Sequence, residues 1–318
     1  METILITGTS GFIGFHLAKK LLENGAKIIG FDSENDYYDV DLKISRRNIL
    51  KTYENFIFYK GDLSNSEELE EVFKQHKIDK VCNLAAQAGV RYSIENPKAY
   101  IKSNLVGFQN IIQLAKEYTV KNFVYASSSS VYGKNEKQPF SVEDPVDNPI
   151  SLYAATKKSN ELIAHTYSHL FELPTTGLRF FTVQGPYGRP DMAYFKFTKS
   201  IFEGKPIDIY NHGKMERDFT DIDDIVDGVI KSLHTISKYE IFNLGNDTPT
   251  QLETMISLLE KHTGIKAKRN YVGMQDGDVK STWADIEHTK KTLNWEPKIK
   301  IEDTIEKFVN WYKEYYKI

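Results

Sequence analysis

Three glycines constrain this chain more than anything else in it. In ILITGTSGFIGFHLAKKLL, Gly8, Gly11 and Gly14 follow a short β-rich run and open an amphipathic helical pattern, with the spacing GxxGxxG rather than GxGxxG. At a strand-to-helix turn each has a separate use: a tight turn, close approach of backbone to a diphosphate, and close packing of helix on strand. The helix N-terminus then offers N–H groups that bind an anion without any cationic side chain. The pattern predicts a dinucleotide-binding turn, with a bare structural turn as the alternative that glycines alone leave open.

The next strand narrows the choice. Lys27–Asp32 ends in Asp32, eighteen residues after Gly14, where an acidic side chain accepts both ribose hydroxyls of adenosine and repels a 2′-phosphate. Ser33 and Glu34 follow, with no Arg beside them in the sequence. The expected cofactor is therefore NAD. Further β-rich runs at Phe56–Gly61, Lys80–Ala85 and Asn122–Ser127 alternate with helical segments beginning near Phe12, Ser66, Asn96 and Leu152. Such alternation predicts an α/β chain built on a Rossmann-type, doubly wound parallel sheet. Asp62 and Leu63 after the third strand, and Ala85, Ala86 and Gln87 after the fourth, then fall on the edge that faces the rest of the cofactor.

Beyond Arg179 the regularity weakens. A Gly/Pro-rich stretch, Thr182–Pro190, leads to a helix near Ala193–Glu203, a loop over 211–226, a strand Glu240–Leu244 and helices at Gln251–Thr263 and Ile301–Tyr315. Residues 1–180 are read as the NAD-binding domain, to which the chain returns at about 218–247. Residues 181–318 are read as a smaller carboxyl-terminal α/β substrate domain.

Composition excludes several classes. Lys plus Arg number 41 against 44 Asp plus Glu, a net charge of −3 that argues against a polyanion-binding surface and so against nucleic acid. With 27% charged and 40% hydrophobic residues the chain is not a disordered one. Nothing resembles a signal peptide and no apolar run is long enough to span a bilayer. The single cysteine, Cys82, sits in the apolar KVCNLAA, so a soluble cytoplasmic protein without disulfides is expected. His165 and His169 are four apart but have no third ligand, so no metal site is expected. Trp283, Trp295 and Trp311 are read as packing the smaller domain.

Chemistry concentrates around YASSSSVYG and the later LYAATKK. Tyr153 and Lys157 are four apart on a helix and share a face, a pattern that Tyr210 and Lys214 match by chance. Position distinguishes the pair, because the hydroxyl string ends the fifth strand at the ligand-binding edge of the sheet. Lys157 as a cation, together with the positive nicotinamide, is expected to lower the Tyr153 pKa toward neutrality so that the phenol serves as base.

GTSGFIG, Asp32, NLAAQAG, SSSSVYG, the Tyr153/Lys157 pair and LRFF, in this order, resemble the extended short-chain dehydrogenase/reductase family. NDYYDVDLK, AAQAGVRYSIENPKAY, LRFFTV, GRPDMA and NHGKMERDFT narrow the resemblance to UDP-glucuronate 4-epimerases. The resemblance implies Ser128, Tyr153 and Lys157 as catalytic residues. It implies NAD contacts from Gly8, Gly11, Phe12, Ile13, Gly14, Asp32, Asn35, Asp62, Leu63, Leu84, Ala85, Ala86, Gln87, Asn104, Tyr153, Lys157 and Phe181. For the UDP-sugar it implies Arg91, Ser128, Ser129, Thr182, Arg189, Arg217, Gln275 and Asp278. It also implies a homodimer through a four-helix bundle formed by Asn96–Lys116 and Leu152–Phe171.

The implied reaction removes hydrogen from C4 of the sugar, with Tyr153 as base, and returns it on the other face of a 4-keto intermediate. For a uronic acid that ketone lies β to the carboxylate and CO₂ is readily lost, so Arg189 with Thr182 would clamp the carboxylate. Arg189 pairing with Asp191 is the other use open to it. A 4,6-dehydratase is disfavoured because Ser129 and Ser130 stand where Asp-Glu is needed. A neutral-sugar 4-epimerase, a UDP-glucuronate decarboxylase and a non-catalytic NAD-sensing protein are the remaining alternatives.

Two residues depart from the family pattern, Gln184 and Asp221, each in place of Tyr. Compensating local repacking and altered sugar or nucleoside choice both stay open. Of the seven arginines, Arg46 and Arg47 are read as solvated and Arg269 has no task. Arg91, Arg179, Arg189 and Arg217 are read on the cofactor or substrate side.

Overall fold

Strands that alternate buried side chains between two faces need cover on both, and this chain provides it with helices. A computed structural model describes residues 2–273 and 281–318. The strands are β1 (Thr3–Thr7), β2 (Lys27–Asp32), β3 (Phe56–Lys60), β4 (Lys80–Asn83), β5 (Asn122–Ala126), β6 (Thr175–Phe180), β7 (Thr182–Gln184), β8 (Pro206–Ile209), β9 (Glu216–Asp221), β10 (Tyr239–Leu244), β11 (Pro249–Gln251), β12 (Lys268–Tyr271) and β13 (Ser281–Thr282). Seven of them form one sheet in the order β10-β6-β5-β4-β1-β2-β3. All its pairings are parallel, with Leu5 of β1 between Ile29 and Val81. The doubly wound α/β sheet expected from the sequence is therefore present.

The helices are α1 (Phe12–Glu23), α2 (Val40–Leu50), α3 (Ser66–Gln75), α4 (Tyr92–Glu95), α5 (Pro97–Tyr100), α6 (Gly107–Glu117), α7 (Leu152–Phe171), α8 (Ala193–Phe202), α9 (Ile222–His234), α10 (Leu252–Thr263), α11 (Glu287–Leu293) and α12 (Ile301–Tyr316). Ile4 and Ile6 join Phe15, Leu21, Val229 and Trp295 on one face of the sheet, while Leu5 and Ile29 join Phe73, Phe108 and Ile111 on the other. The period of two along each strand makes this division. A third cluster, including Leu42, Tyr194, Phe195, Met255, Phe308 and Trp311, lies under α8, α10 and α12. Trp295 thus packs with the large sheet rather than with the smaller cluster.

Local chemistry sets the helix starts. Ser151 opens α7 by accepting from the Ala154 N–H at 3.1 Å, and Asn65 opens α3 through the N–H groups of Glu67 and Glu68. Between α5 and α6 a π-helical turn, Ile101–Val106, widens the backbone, and the Asn104 carbonyl accepts from Asn160 at 2.7 Å.

The sequence reading did not name β6, β8 or β12 as strands, and two further stretches differ from it in ways that bear on the site. The loop expected over 211–226 contains β9 and the start of α9. Asp221 caps that helix, accepting from the Asp223 N–H at 2.8 Å, and polar ERDFTD hides a strand whose last four residues are buried. The polar stretch holding Arg46 and Arg47 is α2, capped by Asp39; its buried residues are Leu42, Lys43, Arg46 and Leu50. A helix that buries cations gives no amphipathic signal.

Gln184 and Asp221 are register partners in the β7–β9 pair. Asp221 accepts from Thr304 Oγ1 at 2.6 Å and lies 3.8 Å from Lys307 Nζ, both on α12, while Gln184 Nε2 reaches Met255 Sδ at 3.3 Å. The two departures from Tyr thus sit side by side, and Gln184 also lines the cleft along the carboxyl edge of the sheet.

Candidate active site

The glycine turn closes as its spacing predicts. Gly8 has φ +77°, and its carbonyl accepts from the Gly11 N–H at 3.0 Å. A Cβ on Gly14 would stand 2.0 Å from the Gly8 carbonyl oxygen, so no side chain fits there. The start of α1 therefore faces a cleft of about 940 Å³ along the carboxyl edge of the sheet. The start of α1 has no side-chain cap and puts the bare backbone of Gly8 and Gly11 on the cleft wall, an arrangement that fits a diphosphate.

Asp32 ends β2 with both oxygens oriented by backbone, Oδ2 by the Ser10 N–H at 3.0 Å and Oδ1 by the Glu34 N–H at 2.8 Å. Burial pushes its pKa up, and those two N–H groups pull the other way. The sequence shows no Arg beside Glu34, but the fold brings one from α2: Arg47 Nη1 lies 2.7 Å from Glu34 Oε2. Its charge is matched there, so the acidic edge that disfavours a 2′-phosphate is kept. Arg47 is not the solvated residue expected.

Ser128, Tyr153 and Lys157 line the same cleft, beyond the ends of β5 and β6. Burial raises the Tyr153 pKa, the neighbouring Ser128 hydroxyl and the positive Arg189 lower it, and Asp191 raises it. Lys157 points its ammonium at the Ala126 carbonyl, 2.8 Å away, and lies 6.0 Å from the Tyr153 ring centroid. Lys157 is not among the groups that shift the phenol here: burial raises it most, and the downward pull comes from Ser128 and Arg189.

Lys157 is itself shifted. Burial disfavours its cation and moves the pKa from 10.5 to about 8. Because the folded value lies below the unfolded one, holding the charge costs stability at and below pH 8, and the cost fades as pH rises toward 10.5. Lys157→Met is expected to raise Tm of cofactor-free protein by a few degrees at pH 7, with the gain shrinking above pH 8 and turnover lost. A lower Tm at pH 7 would show that the bond to Ala126 outweighs desolvation.

The cleft wall includes every cofactor residue expected from sequence except Asn104, which is buried behind it. Asn104 accepts from the Gln87 N–H at 2.8 Å and donates to the Gln87 carbonyl at 3.0 Å, so it holds Gln87 in place. Arg91, Ser129, Thr182, Arg189 and Arg217 also line the cleft. The Arg91 guanidinium stands 5.2 Å over the Tyr210 ring, joining the two walls. Gln275 and Asp278 lie outside the described residues. Arg189 donates to Asp191 through Nε at 3.0 Å and Nη2 at 2.5 Å, the pairing left open above.

Arg179 does not face the cleft. It forms a two-pronged buried pair with Glu161, both bonds 2.9 Å, and donates to the Tyr132 hydroxyl at 3.1 Å. Glu161 also accepts from Ser127 Oγ at 2.6 Å. Arg269 pairs with Glu253 and Glu260. Sequence reasoning assigned no role at the site to Glu161, Arg46 or Tyr37. A signal existed for the first, since Tyr153, Lys157 and Glu161 form one stripe at intervals of four.

A seven-stranded parallel sheet, a glycine turn under a helix end, and a Ser, Tyr and Lys in one cleft define a dinucleotide-dependent enzyme of the short-chain dehydrogenase/reductase fold. The model of the NAD dependent epimerase/dehydratase family matches residues 4–245, and the chain belongs to that family. It is 54% identical to an uncharacterized protein of Methanocaldococcus jannaschii, over 98% of this chain and 97% of that one. It is 49% identical to the UDP-glucuronate 4-epimerase of Thermodesulfobacterium geofontis, over 99% and 97%. The crystal structure of UDP-glucuronic acid 4-epimerase from Bacillus cereus, in complex with UDP-glucuronic acid and NAD, superposes with a TM-score of 0.91. It is 34% identical, covering 99% of this chain and 100% of that one.

Proposed function

We propose that this enzyme interconverts UDP-glucuronate and UDP-galacturonate by inverting C4 of the sugar. The observation that carries the reading is the convergence, in one cleft, of the glycine turn, the Ser128–Tyr153–Lys157 group and Arg189. The names of the relatives support the substrate. NAD, when bound, supplies a reversible acceptor for the C4 hydrogen. The turn from Gly8 to Gly14 would hold its diphosphate, Asp32 its adenosine ribose and Lys157 its nicotinamide ribose.

The protein's own groups do the rest. Tyr153 takes the proton of the sugar 4-hydroxyl and returns one after the keto sugar has turned over in the cleft. Ser128 holds the same oxygen and lowers the phenol pKa, as Arg189 does through its charge. Thr182 and Arg189 hold the sugar carboxylate out of line with the ketone, which slows loss of CO₂. Asp191 keeps the guanidinium oriented through two bonds. Residues 1–180, with the return at about 218–247, would serve the cofactor, and 181–318 the nucleotide sugar.

The test is incubation of purified protein with UDP-glucuronate, read by NMR of the anomeric region. UDP-galacturonate supports the proposal, a UDP-pentose supports decarboxylation, and no change sinks the uronate reading. Arg189→Ala is expected to raise KM for UDP-glucuronate by about tenfold or more and to increase the pentose share. Unchanged KM and product would remove Arg189 from the site.

The same reading includes a homodimer. Ile101, Val106, Leu162, Leu170 and Phe171, on the π-turn and α7, are 43–61% exposed although large and apolar. Such a surface favours a second copy. Light scattering is expected to give twice the chain mass. Among the described residues no helix is long and apolar enough to cross a membrane. A cytoplasmic location belongs to the proposal, supported by the single cysteine, Cys82, which is buried and free.

A further inference from the structure

We propose that Arg46 is a positioning residue that ties the glycine turn of the cofactor site to the loop carrying Arg189; its sugar-binding side rests on the uronate reading above. Arg46 is wholly buried on α2. Its Nη1 donates to the Ser10 carbonyl at 2.9 Å and the Tyr38 hydroxyl at 2.8 Å. Its Nη2 donates to the carbonyls of Tyr187 at 2.7 Å and Gly188 at 3.1 Å. Four acceptors from three separate segments meet one fork, and none of them is a carboxylate.

Burying a cation among neutral acceptors is costly, so the side chain must supply something that an apolar one does not. What it supplies is geometry. Ser10 lies inside the turn that faces the cofactor, and Gly188 directly precedes Arg189. Tyr187 has φ +54°, a left-handed conformation that a non-glycine residue keeps only when its surroundings hold it. Arg46 holds the carbonyl of that residue and of the next. His16 Nε2, 2.9 Å from the Pro186 carbonyl, is a second anchor, and the Tyr187 ring packs on Phe15 and Trp311.

The loop has little room to settle elsewhere. A Cβ on Gly188 would come within 1.8 Å of the Tyr194 hydroxyl oxygen. Downstream, Arg189 grips Asp191, which also accepts from Tyr37 at 3.2 Å. Arg46 thus sets the backbone that aims the carboxylate clamp, and the same guanidinium fixes the turn beneath the dinucleotide.

Arg46→Lys keeps the charge but replaces a planar fork with one ammonium that cannot span four acceptors. It is expected to raise KM for UDP-glucuronate about tenfold, with a smaller change in kcat and a larger share of pentose product. In an Arg189→Ala background the same substitution is expected to add less than about twofold, because the clamp it acts through is already gone. Equal effects in both backgrounds, as simple loss of packing gives, would overturn the clamp side of the proposal. The cofactor side is read without any sugar: Arg46→Lys is expected to lose bound NAD on dialysis about tenfold faster than wild type. Retention equal to wild type would overturn that side. If Arg46→Lys does not fold, Tyr38→Phe, which removes one of the four acceptors, is expected to move KM and NAD retention in the same directions by about twofold, and no movement would overturn the link. Wild-type protein that leaves UDP-glucuronate unchanged would sink the uronate reading and with it the clamp side, while NAD retention still tests the cofactor side.

Discussion

Tyr153→Phe is expected to leave a folded enzyme, with unchanged NAD content, that has lost about a thousandfold in kcat, the range a positioned acid–base group contributes. The substitution removes one oxygen. The ring stays where it is, edge-on to Tyr100 at 6.1 Å between centroids, on a helix whose start is capped by Ser151. What disappears is a phenol that lines the cleft with Ser128 and shares a helix face with Lys157.

Burial alone would make Tyr153 a poor base, since it raises the pKa and keeps the proton on. Ser128 and the positive charge of Arg189 oppose that shift without overcoming it. Turnover within tenfold of wild type, measured by NMR of the UDP-sugar pool, would show that another group moves the proton.

Glu161→Ala is expected to be the most destabilising change near the site. Glu161 and Arg179 are both nearly inaccessible, with side chains 2% and 4% exposed, and their two bonds of 2.9 Å form a complete fork. Removing the carboxylate strands a guanidinium, which costs about 3–5 kcal/mol. For a chain of this length that lowers Tm by about 5–7 °C. The pair also holds Tyr132 and Ser127, and Ser127 adjoins Ser128, so activity should fall along with stability. Glu161→Gln keeps the shape and one acceptor, and should fall between. Calorimetry and urea unfolding read the loss; a Tm within 2–3 °C of wild type would mean that water, or the Val142 carbonyl 3.5 Å from Arg179 Nη1, takes over as acceptor.

Much of the cofactor half was legible because its signals are local. Gly11 and Gly14 are required by contacts with Gly8, three and six residues back, Gly8 takes a left-handed φ that its own turn demands, and Asp32 ends a strand whose β-rich run is visible in the chain. Tyr153 and Lys157 share a face through helix period alone. The residues that escaped notice act through distant partners. Arg46 looks solvated in a run of polar residues, yet its acceptors lie 36, 8, 141 and 142 positions away. Arg179 reads like a ligand contact until Glu161 is seen against it. Asp221 reads like a charge near Arg217, and the fold turns it instead toward Thr304 and Lys307, 83 and 86 residues on.

The chain by itself determined the sheet, the glycine turn, the acidic end of β2 and the position of the Tyr/Lys pair. Each of these rests on backbone geometry and short-range periodicity, which a run of side chains records directly. Only the tertiary structure decided which charges are paired. Arg46, Arg47, Arg179 and Arg189 differ little as letters, but they meet respectively carbonyls and a phenol, Glu34, Glu161 and Asp191. The reason is physical: burial makes an unpaired charge expensive, and the partner that relieves it is chosen by the packing of segments far apart in sequence.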